Sequence, residues 1–226
     1  MARRKKQQKA EETLVDLVEV KGQASDFFET NQKNLLGGLA LLVILVGGYI
    51  FYTQFYKAPR EKSATESLLQ AQNQFERDSF SLALTSAGGF LDIISDYGGT
   101  KAANAATYYA GISYLHLGKY DAAIDYLQDF SANGTIMAYT KYGAMGDAYS
   151  EKNDFSNAIS SYKKAAAAGS NEVLASYYLK KLGLLYEKQG QFSEAKAAFT
   201  QIKDDYPASQ EGADIDKYIS RVSAKG

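Results

Sequence analysis

The sequence predicts an all-α protein: a single N-terminal transmembrane helix, then an α-solenoid of about three to four helical hairpins and a capping helix. Three observations predict it. Residues 35–56, reading LLGGLALLVILVGGYIFYTQFY, carry no ionisable side chain other than tyrosine. A pattern of Gly, Tyr, aromatic and Ala recurs three times at spacings of 35 and 37 residues. The chain also holds only two prolines amid many Ala, Leu, Lys, Glu and Gln, residues that favour helix.

The chain opens on Ala2-Arg3-Arg4-Lys5-Lys6, with Lys9 following, a block expected to be a solvated tail. Leu14, Leu17, Val18, Phe27 and Phe28 give residues 11–30 an amphipathic piece, which reads either as a short helix lying along a membrane or as a floppy tail. Together residues 1–34 form a basic, partly amphipathic tail.

Residues 35–56 form the anchor. A helix needs about 20 apolar residues to cross a hydrocarbon core of about 30 Å, and its backbone satisfies its own hydrogen bonds there. Tyr49, Phe51, Tyr52, Phe55 and Tyr56 cluster at its C-terminal end, where amphipathic rings suit the membrane–water boundary. The run is too long and starts too late for a signal peptide, and no small-residue cleavage site follows. It reads as an uncleaved anchor. Lys21 and Lys33 before it balance Lys57, Arg60 and Lys62 after it. The distal Arg/Lys block tips the orientation toward an inside N-terminus. The pairs Gly37-Gly38 and Gly47-Gly48 lie about three turns apart with Ala40 and Ile44 between them. They are expected to share one face that admits a second membrane helix.

Beyond the anchor, Lys57-Ala58-Pro59 is expected to break the register and act as a short linker, with Pro59 in the first turn of the next helix. Residues 57–226 then form the soluble domain. Gly111, Gly146 and Gly183 are followed at constant offsets by Tyr114, Tyr149 and Tyr186, by Tyr120, Phe155 and Phe192, and by Ala123, Ala158 and Ala195. This is the tetratricopeptide pattern, two antiparallel helices per unit. Gly and Ala belong where the helices cross, and the rings fill the wedge between hairpins. Gly118-Lys119-Tyr120, Lys152-Asn153-Asp154 and Gln189-Gly190-Gln191 are the turns.

A degenerate unit precedes these, with Leu68, Ala71 and Phe75 leading to a turn at Asp78-Ser79-Phe80. Phe90 to Tyr97 reads as a short helix closed by Gly98-Gly99. After the last repeat, Asp205 to Ser209 is expected to start a final helix to about Ser223, whose polar Asp214, Asp216 and Lys217 suit a solvating cap.

Reactive chemistry is sparse. There is no Cys, so disulfides, thiolate metal sites and cysteine catalysis are excluded. The single histidine, His116, has no second His to share a metal and reads as a packing or groove residue. Asp92 and Asp96 stand four apart as solvated charges, and Asn133-Gly134-Thr135 reads as a turn although it matches a glycosylation sequon. No phosphate-binding loop or hydrolase motif occurs. The protein is expected not to be an enzyme, with no catalytic residues, no cofactor and no metal. A net charge of -1 gives no pull on nucleic acid.

The layout of basic tail, single span and repeat domain resembles the YfgM-type ancillary subunit of the bacterial SecYEG translocon. Within it, Gly89 to Lys101, Tyr108-Tyr109-Ala110-Gly111, Leu117-Gly118-Lys119-Tyr120 and Ile215-Asp216-Lys217-Tyr218-Ile219 resemble members from the Bacteroidetes group. The resemblance covers about Asn31 to Ala224. It implies a cytoplasmic N-terminus, a bacterial inner-membrane anchor and a periplasmic domain. It also implies association with SecYEG, with a PpiD-like periplasmic chaperone and with emerging client polypeptides; no catalytic residue is carried over. An envelope-assembly or structural adaptor is the alternative from another class. Helical geometry directs Tyr108, Ile112, His116, Asp147, Glu151, Lys180, Leu184 and Lys188 toward the concave face that repeat proteins use for binding.

Overall fold

The structure, a computed structural model, describes residues 30–132 and 134–226. The basic block, the amphipathic piece before Thr30 and Asn133 of the sequon lie outside the described residues. The chain divides into two units, Met1–Pro59 and Arg60–Gly226.

In the first unit, residues 30–52 are α-helical (α1). The helical segment Thr30–Glu76 contains a window of mean hydropathy 2.3 with none of it buried, long and apolar enough to cross a membrane. Phe51 stacks on Phe55 and Tyr52 on Tyr56, with ring centroids 4.8 and 5.4 Å apart, so the aromatic end is two parallel ladders at helical spacing. The expected linker is absent. Thr53–Lys57 is a π-helical turn in which the Ala58 N–H donates to the Thr53 carbonyl, and α2 (Ala58–Glu76) follows at once. Proline lacks an N–H and its ring collides with the carbonyl four residues back. Widening the ladder by one residue just before Pro59 gives its ring room, and Pro59 stays inside helix.

The second unit is a stack of helices. After α2 come α3 (Phe80–Thr85), α4 (Phe90–Asp96), α5 (Lys101–His116), α6 (Tyr120–Asp129), α7 (Thr135–Glu151), α8 (Phe155–Ala166), α9 (Glu172–Lys188), α10 (Phe192–Asp205) and α11 (Ile215–Ser223). From α3 onward each helix packs on the next, and the inner helices α5, α7 and α9 also touch one another in series. No strand occurs among the described residues.

One turn geometry serves every hairpin. The N–H groups of Lys119, Asp154 and Gln191 donate to the carbonyls of Tyr114, Tyr149 and Tyr186, each at 2.9 Å. The residue before each donor is left-handed: Gly118 at φ 70°, Asn153 at φ 59° and Gly190 at φ 72°. This six-residue closure satisfies carbonyls that a helix end leaves orphaned. The degenerate unit uses it too, since the Ser79 N–H donates to Gln74 at 3.0 Å and Asp78 has φ 55°. Its Ala71, Phe80 and Ala83 stand 40 residues before Gly111, Tyr120 and Ala123. It is therefore a repeat in register whose second helix stops early, with α4 filling the space.

The helix crossings explain the glycines. A Cβ on Gly111 would lie 2.7 Å from Leu127, and one on Gly146 would lie 2.5 Å from Tyr162. One on Gly183 would overlap the Phe199 ring. In all three the opposing side chain is 16 residues on, so each repeat seats one large residue against one missing side chain. Ala123, Ala158 and Ala195 are fully buried at the other half of the same crossings.

Two larger cores result. One joins α2, α3, α4 and α5 around Phe90, Ile93 and Ala106, and the other runs from Tyr139 through α8, α9 and α10 to Val222 of α11. At the entrance to the array, Glu61 accepts the first two N–H groups of α5, Lys101 at 3.0 Å and Ala102 at 3.1 Å. Arg60 donates to the Asp96 carbonyl at 2.8 Å. Both helix ends at the α4–α5 turn thus meet the charge that suits their dipoles.

The final helix starts later than expected. α10 runs through Asp205, and residues 206–211 form a turn before a 3₁₀ turn at Gly212–Asp214 and α11. Pro207 cannot donate to continue α10, and a Cβ at position 212 would lie 2.5 Å from the Tyr206 carbonyl. Lys203 pairs with Asp216 at 2.8 Å and Lys217 pairs with Asp214, so the polar side of α11 is solvated as a cap requires.

One buried polar atom among the described residues has no hydrogen-bond partner, the Ser113 hydroxyl on α5. The same repeat position holds Ala148 and Leu185. Ser113→Ala is expected to stabilise the domain by about 1 kcal/mol, the scale of an unsatisfied buried hydroxyl. A urea midpoint that falls instead would show that the hydroxyl has a partner in solution.

Candidate functional site: the inner face of the repeat array

Helix periodicity places residues 108, 112 and 116 of α5, 147 and 151 of α7, and 180, 184 and 188 of α9 on one stripe, about 60 to 140° around each helix from the glycine that faces the second helix of the hairpin. In the structure these residues do different work. Tyr108 is half-buried, stacks obliquely on Phe130 at 5.2 Å and meets the Thr140 side chain. Burial pushes its phenol above the ordinary range, outweighing the Thr140 bond. Ile112 joins the small core of Leu127, Ala144 and Met145. His116 lies flat on Phe80, with centroids 4.3 Å apart and planes 5° apart, and meets Phe75 edge-on. That is a packing role, and it ties α5 to the degenerate hairpin.

Between α5 and α7 the face opens into a cavity of about 390 Å³ lined by Gln72, Tyr108, Tyr109, Phe130, Met137 and Thr140, among others. Apart from Lys101 at its rim, the lining is uncharged. Its wall is fixed from behind: the Asn104 side chain holds the Ser131 backbone with two hydrogen bonds, 2.9 and 3.0 Å. Lys141 donates to the Gln128 and Phe130 carbonyls at 3.0 and 2.7 Å, closing the end of α6.

Asp147 is committed to packing. It accepts from the Tyr162 hydroxyl at 2.5 Å and from the Lys181 ammonium at 2.7 and 2.8 Å, joining α7, α8 and α9. Burial first, then the Asp147 charge and bond, push the Tyr162 phenol well up. Burial pulls Lys181 down, but the bonds and charge of Asp147 outweigh it and leave the ammonium above its ordinary value. Glu151, Leu184 and Lys188 are exposed, and Lys180 is half-buried over the Tyr218 ring of α11 at 5.2 Å.

Sequence reasoning missed Gly143, where a Cβ would overlap the Tyr178 ring of α9. Its only signal is a glycine at the repeat position where Tyr108 and Lys180 stand. It also missed the contact of α11 with α9, where Lys180 lies over the Tyr218 ring and Arg221 pairs with Glu187.

On α1, a Cβ at Gly37, Gly38, Gly47 or Gly48 would meet nothing within 4 Å. At about 100° per residue, Gly37, Ala40, Ile44 and Gly48 fall on one face, while Gly38 and Gly47 fall on its two flanks. The pairs thus contribute one glycine each to a shared line, rather than both.

Among the described residues no cluster of His, Asp and Glu could hold a metal ion. The inner face offers shape, rings and ammonium groups, which suits recognition of another chain.

Comparison with known proteins agrees with this geometry. Residues 105–133 and 180–209 match one tetratricopeptide repeat family, and residues 142–168 match a second. No curated protein matches the chain. The matched segments fall on the three hairpins α5–α6, α7–α8 and α9–α10, each starting within the first helix, so this chain carries tetratricopeptide repeats, modules of protein–protein interaction.

Proposed function

We propose that this protein is a membrane-anchored scaffold that binds the SecYEG translocon and a PpiD-like periplasmic chaperone, helping to hand over emerging secreted or membrane proteins. The observation that carries the scaffold reading is an array of stacked hairpins preceded by the one helix, among the described residues, that is long and apolar enough to cross a membrane and is exposed along that whole window. The translocon assignment rests on the layout of basic tail, span and repeats. In this reading the N-terminus is cytoplasmic and the array periplasmic. Client contact falls to the inner face, and the line Gly37, Ala40, Ile44 and Gly48 meets a partner helix.

Purification of the tagged full-length protein in mild detergent tests it. Channel subunits and an isomerase-like chaperone are expected to come with it in stoichiometric amounts. Gly37→Leu with Gly48→Leu should reduce channel recovery severalfold, and Gly38→Leu with Gly47→Leu should reduce it less. Recovery of envelope-assembly proteins without the channel would reject the translocon assignment and leave an assembly adaptor.

A further inference from the structure

The inner face changes character along its length. α5 bears no acidic residue and no Lys or Arg after Lys101. α9 and α11 carry a dense group of cations set against rings. Tyr218 has Lys180 at 5.2 Å, Lys217 at 5.4 Å and Arg221 at 4.8 Å from its ring centre. Lys188 lies 5.2 Å over Phe155, and Lys181 lies 5.3 Å over Tyr177.

The acids of this region are largely used up. Asp147 pairs with Lys181, Asp214 with Lys217, and Glu187 with both Arg221 and Lys225. Lys180 and Lys188 make no ion pair among the described residues, and Glu151 is the one remaining acid on this face. Tyr177, Lys180, Lys181, Leu184 and Lys188 follow helical spacing along one stripe of α9. Lys181 ties that stripe to α7 on one side, and Lys180 reaches α11 on the other. Tyr177 and Leu184 on the same stripe are 41% and 39% exposed. The stripe therefore sets Lys180 and Lys188, which among the described residues hold no ion pair, beside open apolar surface at Tyr177 and Leu184, with Lys181 already held by Asp147.

We infer that this α9–α11 half of the inner face docks an extended polypeptide segment in which acidic side chains alternate with apolar ones. The inference rests on the reading of the inner face as the partner surface, and it names the partner's chemistry. Carboxylates would take Lys180 and Lys188, the two ammonium groups of this stripe without an ion pair among the described residues. Leucine-sized side chains would cover Tyr177 and Leu184. Unpaired charge facing a groove selects partners by sign more than it adds raw affinity. A phosphate polymer fits less well, because most cations here already hold a carboxylate.

The test is fluorescence anisotropy with the full-length protein in dodecyl maltoside, corrected for empty micelles. The probes are labelled peptides alternating Asp, Ser or Lys with Leu, and a labelled oligothymidylate. The Asp–Leu peptide is expected to bind best, and more weakly as salt rises. Lys180→Glu with Lys188→Glu should weaken it roughly tenfold, and the Gln pair by less, with circular dichroism unchanged. Equal binding of all three peptides, or preference for Lys–Leu, overturns the acidic inference and leaves the inner face as a peptide surface. Tighter binding of the oligothymidylate overturns it in favour of nucleic acid. No binding of any probe, together with no partner recovered in mild detergent, overturns both readings.

Discussion

Replacing Gly146 by Ala is expected to destabilise the repeat domain by about 2–3 kcal/mol, at the upper end of overpacking costs in a tight core. The added methyl would stand 2.5, 2.6 and 3.1 Å from Cε1, Cδ1 and Cγ of Tyr162. A contact with Cγ cannot be relieved by swinging the ring tip. The ring is also held, because its hydroxyl is bound to Asp147, itself bound to Lys181. Moving Tyr162 therefore disturbs α7, α8 and α9 together. The chain supplies its own control: Ala71 occupies this repeat position in the degenerate hairpin, and the residue 16 positions on is Ala87, beyond the end of α3. A methyl is tolerated there, where no ring opposes it. Chemical denaturation of the full-length protein, followed by far-ultraviolet circular dichroism, measures the effect. A loss under about 0.5 kcal/mol would mean that the crossing at Gly146 is looser than its geometry.

Phe90→Ala is expected to cost about 3–5 kcal/mol, the range for emptying a buried phenylalanine site, and to cost it locally. Phe90 is fully buried. It stacks on Tyr109 at 5.4 Å and meets Phe75 edge-on at 6.3 Å. These contacts lie in the core of α2, α3, α4 and α5, which is distinct from the core running from Tyr139 to Val222. In a repeat array each unit is stabilised by its neighbours, so damage at one end spreads only through successive interfaces. Hydrogen exchange should show faster amide exchange in α2, α3 and α4 and unchanged protection in α9 and α10. Equal acceleration in every helix would show that the two cores unfold as one.

The hairpins, their turns and their tight crossings were legible in the sequence because each depends on local geometry that repeats. A left-handed residue closing a helix end requires Gly or a small polar residue, and two backbones in contact require Gly or Ala. These demands place Gly at positions 111, 146 and 183, and Gly, Asn and Gly at 118, 153 and 190. The apolar span was legible for a similar reason, since hydrocarbon selects composition over an entire run of residues. The degenerate hairpin was legible through Leu68, Ala71 and Phe75 and the turn at Asp78-Ser79-Phe80, but its 40-residue register with the next repeat became clear only from the shared turn geometry.

The use made of the inner-face residues was decided by tertiary structure. Periodicity places Tyr108, His116, Asp147 and Lys180 on one face, but it does not say which neighbour each meets. His116 lies on Phe80, 36 residues earlier in the chain. Asp147 is claimed by Tyr162 and Lys181, and Lys180 by a ring on the capping helix. The shift into π-helix that absorbs Pro59, and the late start of α11 after Pro207, likewise depend on backbone hydrogen bonds available only in the folded chain. Sequence alone determined the helices of the repeat hairpins and where they cross, because those constraints act on each residue's own backbone. Only the fold decided which charges remain unpaired, because pairing depends on distances between helices that sequence spacing does not encode.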